Sequence, residues 1–159
     1  LDGDDQPLAI AVNSNTNTLY VTNSKSNSIS IIDASTKKIS DTINLDGDDQ
    51  PLAIAVNSNT NTIYVTNSKS GSVTMIDGQT KNILGTILLN PKSLPSSIVI
   101  DDVTNTAYVT NTKSNTISVI GSNSEHVVPE FALSSLMILT ASILSVMVLT
   151  SFRFRTLRI

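Results

Sequence analysis

The sequence predicts an all-β protein built from repeated four-stranded units, followed by one long apolar helix near the C-terminus. Three observations predict it. Tyr20, Tyr64 and Tyr108 stand 44 residues apart, within Leu19-Tyr20-Val21-Thr22-Asn23, Ile63-Tyr64-Val65-Thr66-Asn67 and Ala107-Tyr108-Val109-Thr110-Asn111. In every copy, short runs rich in β-branched residues alternate with turns of Asn, Ser, Gly and Asp, a pattern that favours strands and hairpins over helices. Residues 131–152, in contrast, contain no charge.

Each element of the first copy follows from its pattern. Pro7–Val12 is an almost wholly apolar run bounded by turn residues, which predicts a strand buried on both faces. After the turn Asn13–Asn17 come a second strand, Thr18–Thr22, and a second turn, Asn23–Asn27. Ser28–Ile32 alternates polar and apolar before Asp33, and Lys38–Asn44 makes a fourth, more polar strand with Ile39 and Ile43 on one side. Burial is therefore expected to fall from the first strand to the fourth. The second hairpin turn carries Asn27, Gly71 and Asn115 at equivalent positions, residues that tolerate positive φ.

Four strands in 44 residues match a β-propeller blade, whose repeats run to about 40–45 residues. A β-solenoid is the second choice, and helical repeats lack the required period of 3.6. The repeats are placed at 1–44, 45–88 and 89–120. Residues 45–70 match residues 1–26 at 25 of 26 positions, the change being Leu19 to Ile63, so no residue is singled out for chemistry. In the third copy Gly121 stands where Asp33 and Asp77 do, and Ser122–Val128 replaces the fourth strand.

The tetrad Tyr-Val-Thr-Asn, followed by Ser/Thr-Lys-Ser and a Val/Ile-rich strand, resembles the YVTN-type propeller repeat of archaeal and bacterial surface proteins. The resemblance covers Leu1 to about Ile120 and implies a propeller displayed at a cell surface. Propellers typically close with four to eight blades, so three form an incomplete ring. Leu1 falls within a repeat, and this predicts further blades upstream in preference to assembly of several chains.

Beyond Ile120 a polar linker is expected over 121–130. Residues 131–152 then give about 33 Å of helix at 1.5 Å per residue, enough to cross a hydrocarbon core. Arg153, Arg155 and Arg158 follow, and basic residues stay cytoplasmic, so 153–159 is expected inside and the blades outside. Pro129-Glu130-Phe131, placed before the span and its basic tail, resembles the PEF-type C-terminal signal of archaeosortase substrates. That resemblance implies processing by a membrane enzyme that replaces the anchor. Ala132 departs from the Gly that often follows the motif, and a permanent single-pass anchor is the alternative.

The residues offer little for catalysis. His126 is the one histidine of the chain and has no Cys or second His to join it. There is no Gly-rich phosphate loop, and Asp101-Asp102 is an isolated pair. Asp46, Asp48 and Asp49, with Asp2, Asp4 and Asp5 in the first copy, are the one carboxylate cluster that calcium could use, and no other cofactor is expected. The plainer reading pairs them with Lys25, Lys69 and Lys113, which meander topology puts on the same side. In the third copy Pro91-Lys92-Ser93 replaces the acids. Residues 1–130 hold seven Lys against thirteen acids, a net charge of −6, which argues against nucleic acid as a partner. The sequence thus predicts a non-enzymatic surface protein for adhesion, envelope structure, or protein and glycan binding. An extracytoplasmic propeller enzyme, lyase- or lactonase-like, with its catalytic residues on upstream blades, is the alternative.

Overall fold

A computed structural model describes residues 5–47, 49–90, 92–121 and the backbone of 124–129. They form twelve strands in three four-stranded antiparallel sheets, and none is helical. The first sheet is β1 (Pro7–Asn13), β2 (Thr18–Asn23), β3 (Ser28–Asp33) and β4 (Lys38–Asn44). The second is β5 (Pro51–Asn57), β6 (Thr62–Asn67), β7 (Ser72–Asp77) and β8 (Ile83–Leu88). The third is β9 (Pro95–Asp101), β10 (Thr106–Asn111), β11 (Thr116–Gly121) and β12 (Ser124–Pro129). In each sheet the strands lie in chain order, so every connection is a hairpin.

The last strand corrects the linker expected at 121–130. Ser124–Pro129 pairs antiparallel with β11, from Gly121 opposite Ser124 to Thr116 opposite Pro129. Only residues 122 and 123 separate β11 from β12, whereas four residues, Ala34–Lys37, separate β3 from β4. A shorter hairpin therefore keeps the outer strand that the altered sequence had hidden. The helix expected at 131–152, the tail 153–159, Glu130 and Phe131 lie outside the described residues.

The sheets pack face to face. Tyr20, Ile29, Ile31, Ile43 and Leu45 of the first blade meet Ile54, Ile63, Val65 and Ile76 of the second in one apolar cluster. Val73 and Leu89 of the second meet Ala107, Val109 and Ile120 of the third in another. Alternation along each strand makes this possible: Tyr20 points to the next blade, and Val21 points back. Each blade thus has an outgoing face and an incoming one.

Burial does not fall from first strand to last as expected. It peaks in the second and third strands, while β1 is largely exposed. The reason is position: β2 and β3 are flanked by strands within the sheet, whereas β1 and β5 run along its inner edge and meet the neighbouring inner strands. A bulge also separates Ile39 from Ile43. Pairing shifts between Ile31 and Ile32, so that Ile32 lies opposite Ile39 and Ile29 opposite Ile43, on different faces.

Positive φ falls where the turns need it, at Asn27 (52°), Gly71 (66°) and Asn115 (51°). Gln6, Gln50 and Leu94, each just before a proline, also take φ near 50°, although a following proline ordinarily favours extended backbone. Each is pinned by the second hairpin turn: the Ser24, Ser68 and Thr112 amides donate to the Gln6, Gln50 and Leu94 carbonyls.

Ile10 and Ile54 occupy the same position in adjacent blades, but Ile10 is 63% exposed and Ile54 is 7% exposed. Truncating Ile54 to Ala is expected to cost about 3 kcal/mol, against under about 1 kcal/mol for Ile10→Ala, in urea unfolding. Equal losses would mean that the blades are not packed in this way.

Candidate functional site

Functional groups collect on two sides of the array. On one, the linkers between blades lie against the turns between second and third strands. The Lys25, Lys69 and Lys113 amides donate to the carbonyls of Asp5, Asp49 and Ser93 at 3.2, 3.1 and 3.1 Å. This puts the acidic linkers and the lysines on one side. Asn27 fastens the first linker further: its Nδ2 donates to the Leu45 and Gly47 carbonyls, and its Oδ1 accepts from the Asp49 amide. Asp46 is exposed and Asp49 half-buried, while Asp48 lies outside the described residues. Among the described residues no three acidic or histidine side chains come together in a group fit for a metal.

Behind that side, each blade carries a buried amide on a pair of hydroxyls. Asn23 Nδ2 donates to Ser28 Oγ and Ser30 Oγ, Asn67 Nδ2 to Ser72 Oγ and Thr74 Oγ1, and Asn111 Nδ2 to Thr116 Oγ1 and Ser118 Oγ. The tetrad's asparagine is thus a cross-strand tie, joining the start of a hairpin to its returning strand. On the first blade the tie borders a cleft of about 230 Å³, lined by Asp5, Asn23, Ser28, Ser30, Thr42 and Asn44. The cleft offers hydroxyls, amides and one carboxylate, which can hold a polar group but form no nucleophile and base pair.

The opposite side bears a clasp between blades. Asn13 Nδ2 donates to Asn61 Oδ1 at 2.8 Å, and Asn15 Nδ2 to the Ser58 carbonyl at 2.9 Å. At the next junction Asn57 Nδ2 donates to Asn105 Oδ1 at 2.9 Å and Asn59 Nδ2 to the Asp102 carbonyl at 3.0 Å. Asp33, Asp77 and Asp101 close turns on this side. Hydrogen bonds from the amides of Thr36 and Thr80, and from the Thr104 hydroxyl, lead in holding these carboxyls below their ordinary range. Lys81 does the same for Asp41 across the first junction, where the two form an ion pair. Burial pushes the Tyr20 and Tyr64 hydroxyls up.

The described side chains include no His, Glu, Cys or Arg. His126 lies on β12 opposite Val119. Pro129 ends that strand, so the expected sorting motif begins inside the third sheet, while Arg153, Arg155 and Arg158 lie outside the described residues. The clasp escaped the sequence reading. Its signal was present in the identical Asn-x-Asn-x-Asn of the first two copies, Asn13 to Asn17 and Asn57 to Asn61.

No family model matches the chain, and no curated protein does. Solved structures do. Hydrazine synthase of Kuenenia stuttgartiensis is similar at 30% identity and a TM-score of 0.68, over 76% of this chain and 34% of that one. A streptogramin B lyase is similar at 18% identity and 0.71, over 80% and 42%, and virginiamycin B lyase from Staphylococcus aureus at 17% and 0.69, over 79% and 41%. The chain spans less than half the length of each. These likenesses support a β-propeller fold. They also overturn the expectation of a non-enzymatic protein, since the similar structures are enzymes. The non-enzymatic expectation had rested on the residues of three blades alone.

Two outcomes are expected here. Asn67→Ala leaves the Ser72 and Thr74 hydroxyls buried without their donor and should cost about 2 kcal/mol in urea unfolding; a neutral result would remove the tie. The lowered carboxyls contribute stability that is fully present above the ordinary carboxylate value of about 4 and is lost as pH falls through their lowered values. Urea midpoints should therefore drop on acidification below about pH 4, less steeply in Asp33→Asn/Asp77→Asn, because Asn13 and Asn57 cap equivalent turns as amides.

Proposed function

We propose that the chain supplies three blades of an extracytoplasmic propeller enzyme, lyase- or lactonase-like, whose catalytic residues stand on blades other than these. The observation that carries the reading is the pair of open outer faces. Ile10 and Val12 on the incoming face of the first blade are exposed, as are Val99 and Tyr108 on the outgoing face of the third. Repeats of this kind are stable when neighbours cover such faces. The likeness to enzymes of which this chain spans 34–42% supports further blades and a catalytic ring.

The ring is held outside a membrane by residues 131–152, with 153–159 on the cytoplasmic side. Pro129-Glu130-Phe131 is the point at which an archaeosortase-like enzyme processes the anchor, as in the PEF-type substrates it resembles. Surface proteins and glycans are the partners within reach of a ring so placed.

The test is to incubate the full-length protein with a streptogramin B antibiotic and follow the substrate by mass spectrometry. A lyase product keeps the substrate's mass, and a lactonase product gains one water. Turnover of neither kind, on cyclic depsipeptides or simple lactones, would end the enzyme reading. Cell fractionation is expected to place the protein with the envelope, and recovery from the cytosol would end the anchored one.

A further inference from the structure

The two open faces do not match each other. At both internal junctions the outgoing blade donates: Asn13 and Asn15 reach Asn61 and Ser58, and Asn57 and Asn59 reach Asn105 and Asp102. On the third blade the equivalent residues are Asp101 and Val103. A carboxylate only accepts, and a valine does neither. Asp101 Oδ1 accepts from the amides of Val103 and Thr104, as Asn57 Oδ1 does from those of Asn59 and Thr60. The turn is therefore kept while the donors to a following blade are gone. Val103 stands 90% exposed.

The incoming face of the first blade is altered as well. In the second blade Asn61 receives the clasp while packed on Gly78, where an added Cβ would lie 2.5 Å from its Oδ1. The first blade has Ala34 in that place, in the same turn, with its amide on the Asn17 carbonyl as the Gly78 amide is on that of Asn61. Asn17 instead turns its Nδ2 to Ser35 Oγ. A second copy set head to tail would bring an acceptor and a valine against a receiver already turned away.

We infer that the outgoing face of the third blade is built for a blade that is not a copy of this chain's first: one that donates a hydrogen bond or a cation to Asp101 and lays apolar surface over Val103. The inference rests on the reading that further blades complete the ring. Its physical sense is specificity, because repeated blades with matching ends would add to one another without limit.

The test uses the full chain in detergent and sedimentation equilibrium. The natural chain is expected at its single-chain mass of 16.9 kDa across concentrations. Asp101→Asn/Val103→Asn/Ala34→Gly supplies the second blade's residues at all three positions and is expected to form head-to-tail dimers and larger species, at least tenfold tighter. Adding Ile10→Asp to it should abolish them, and a thermal melt checks that each variant folds. Asn17→Lys, which offers Asp101 a cation, is expected to associate too, and Asp101→Asn in that background to reverse it. Association of the natural chain, or a triple variant or Asn17→Lys variant that folds and stays at single-chain mass, would overturn the inference. Failure of the enzyme reading shows separately, as absence of turnover by the full-length protein with these masses unchanged.

Discussion

A four-stranded sheet has two faces and cannot bury either of them by itself. Everything else in this structure depends on that constraint. The middle blade meets it on both sides, with Ile63, Val65 and Val73 completely withdrawn from solvent. Its neighbours meet it on one side each. Tyr20 is 1% exposed because a blade follows it, and Tyr108 is 40% exposed because no blade among the described residues covers it. Chemically equivalent residues in nearly the same sequence thus have different environments, and position in the array decides which. Hydrophobic burial is nondirectional and would accept any apolar cover. Direction must come from the polar groups at the rim.

Asparagine provides much of that direction, in three roles. Asn23, Asn67 and Asn111 tie strands within a blade; Asn13, Asn15, Asn57 and Asn59 join blades; Asn17, Asn27, Asn61, Asn105 and Asn115 take the left-handed backbone of turns. The amide suits all three because it donates and accepts at one site and carries no charge to desolvate. Aspartate accepts the amides of a turn as well as asparagine does, as Asp33, Asp77 and Asp101 show, but it cannot donate across a junction. Replacing one by the other preserves a blade and changes what it can join. At Asp101 a single atom, oxygen in place of nitrogen, removes the donor that Asn13 and Asn57 supply at the internal junctions.

Much of the fold was legible in the sequence. The period, the four strands per unit and the turns at Asn27, Gly71 and Asn115 follow from local chemistry, and the hairpins obey it. What was not legible depends on neighbours. The apolar run Pro7–Val12 reads as doubly buried, but composition cannot tell an inner edge strand from a central one. Ile39 and Ile43 read as one face because a bulge at Ile31 and Ile32 leaves no mark in a pattern of alternation. β12 was hidden by a turn of changed length, since Ser124–Pro129 pairs through its backbone and needs none of the repeat's side chains. The candidate site was less legible again. The tetrad's asparagine was recognised as a repeat marker without its role, and the clasp joins residues 43 to 48 positions apart. A comparison of single blades cannot show such a pairing.

The plain up-and-down order of each sheet has a consequence for how the chain acquires its structure. Within each sheet every strand after the first pairs with the one made just before it, so each blade's backbone bonds close over short loops. Contacts between blades add separations of little more than one repeat. Contact order stays low for an array of strands, and low contact order is associated with fast folding. A blade emerging from a ribosome or a translocation pore can settle on its predecessor before its successor exists. A chain of such blades can be threaded through a membrane unfolded and assembled in order on the far side.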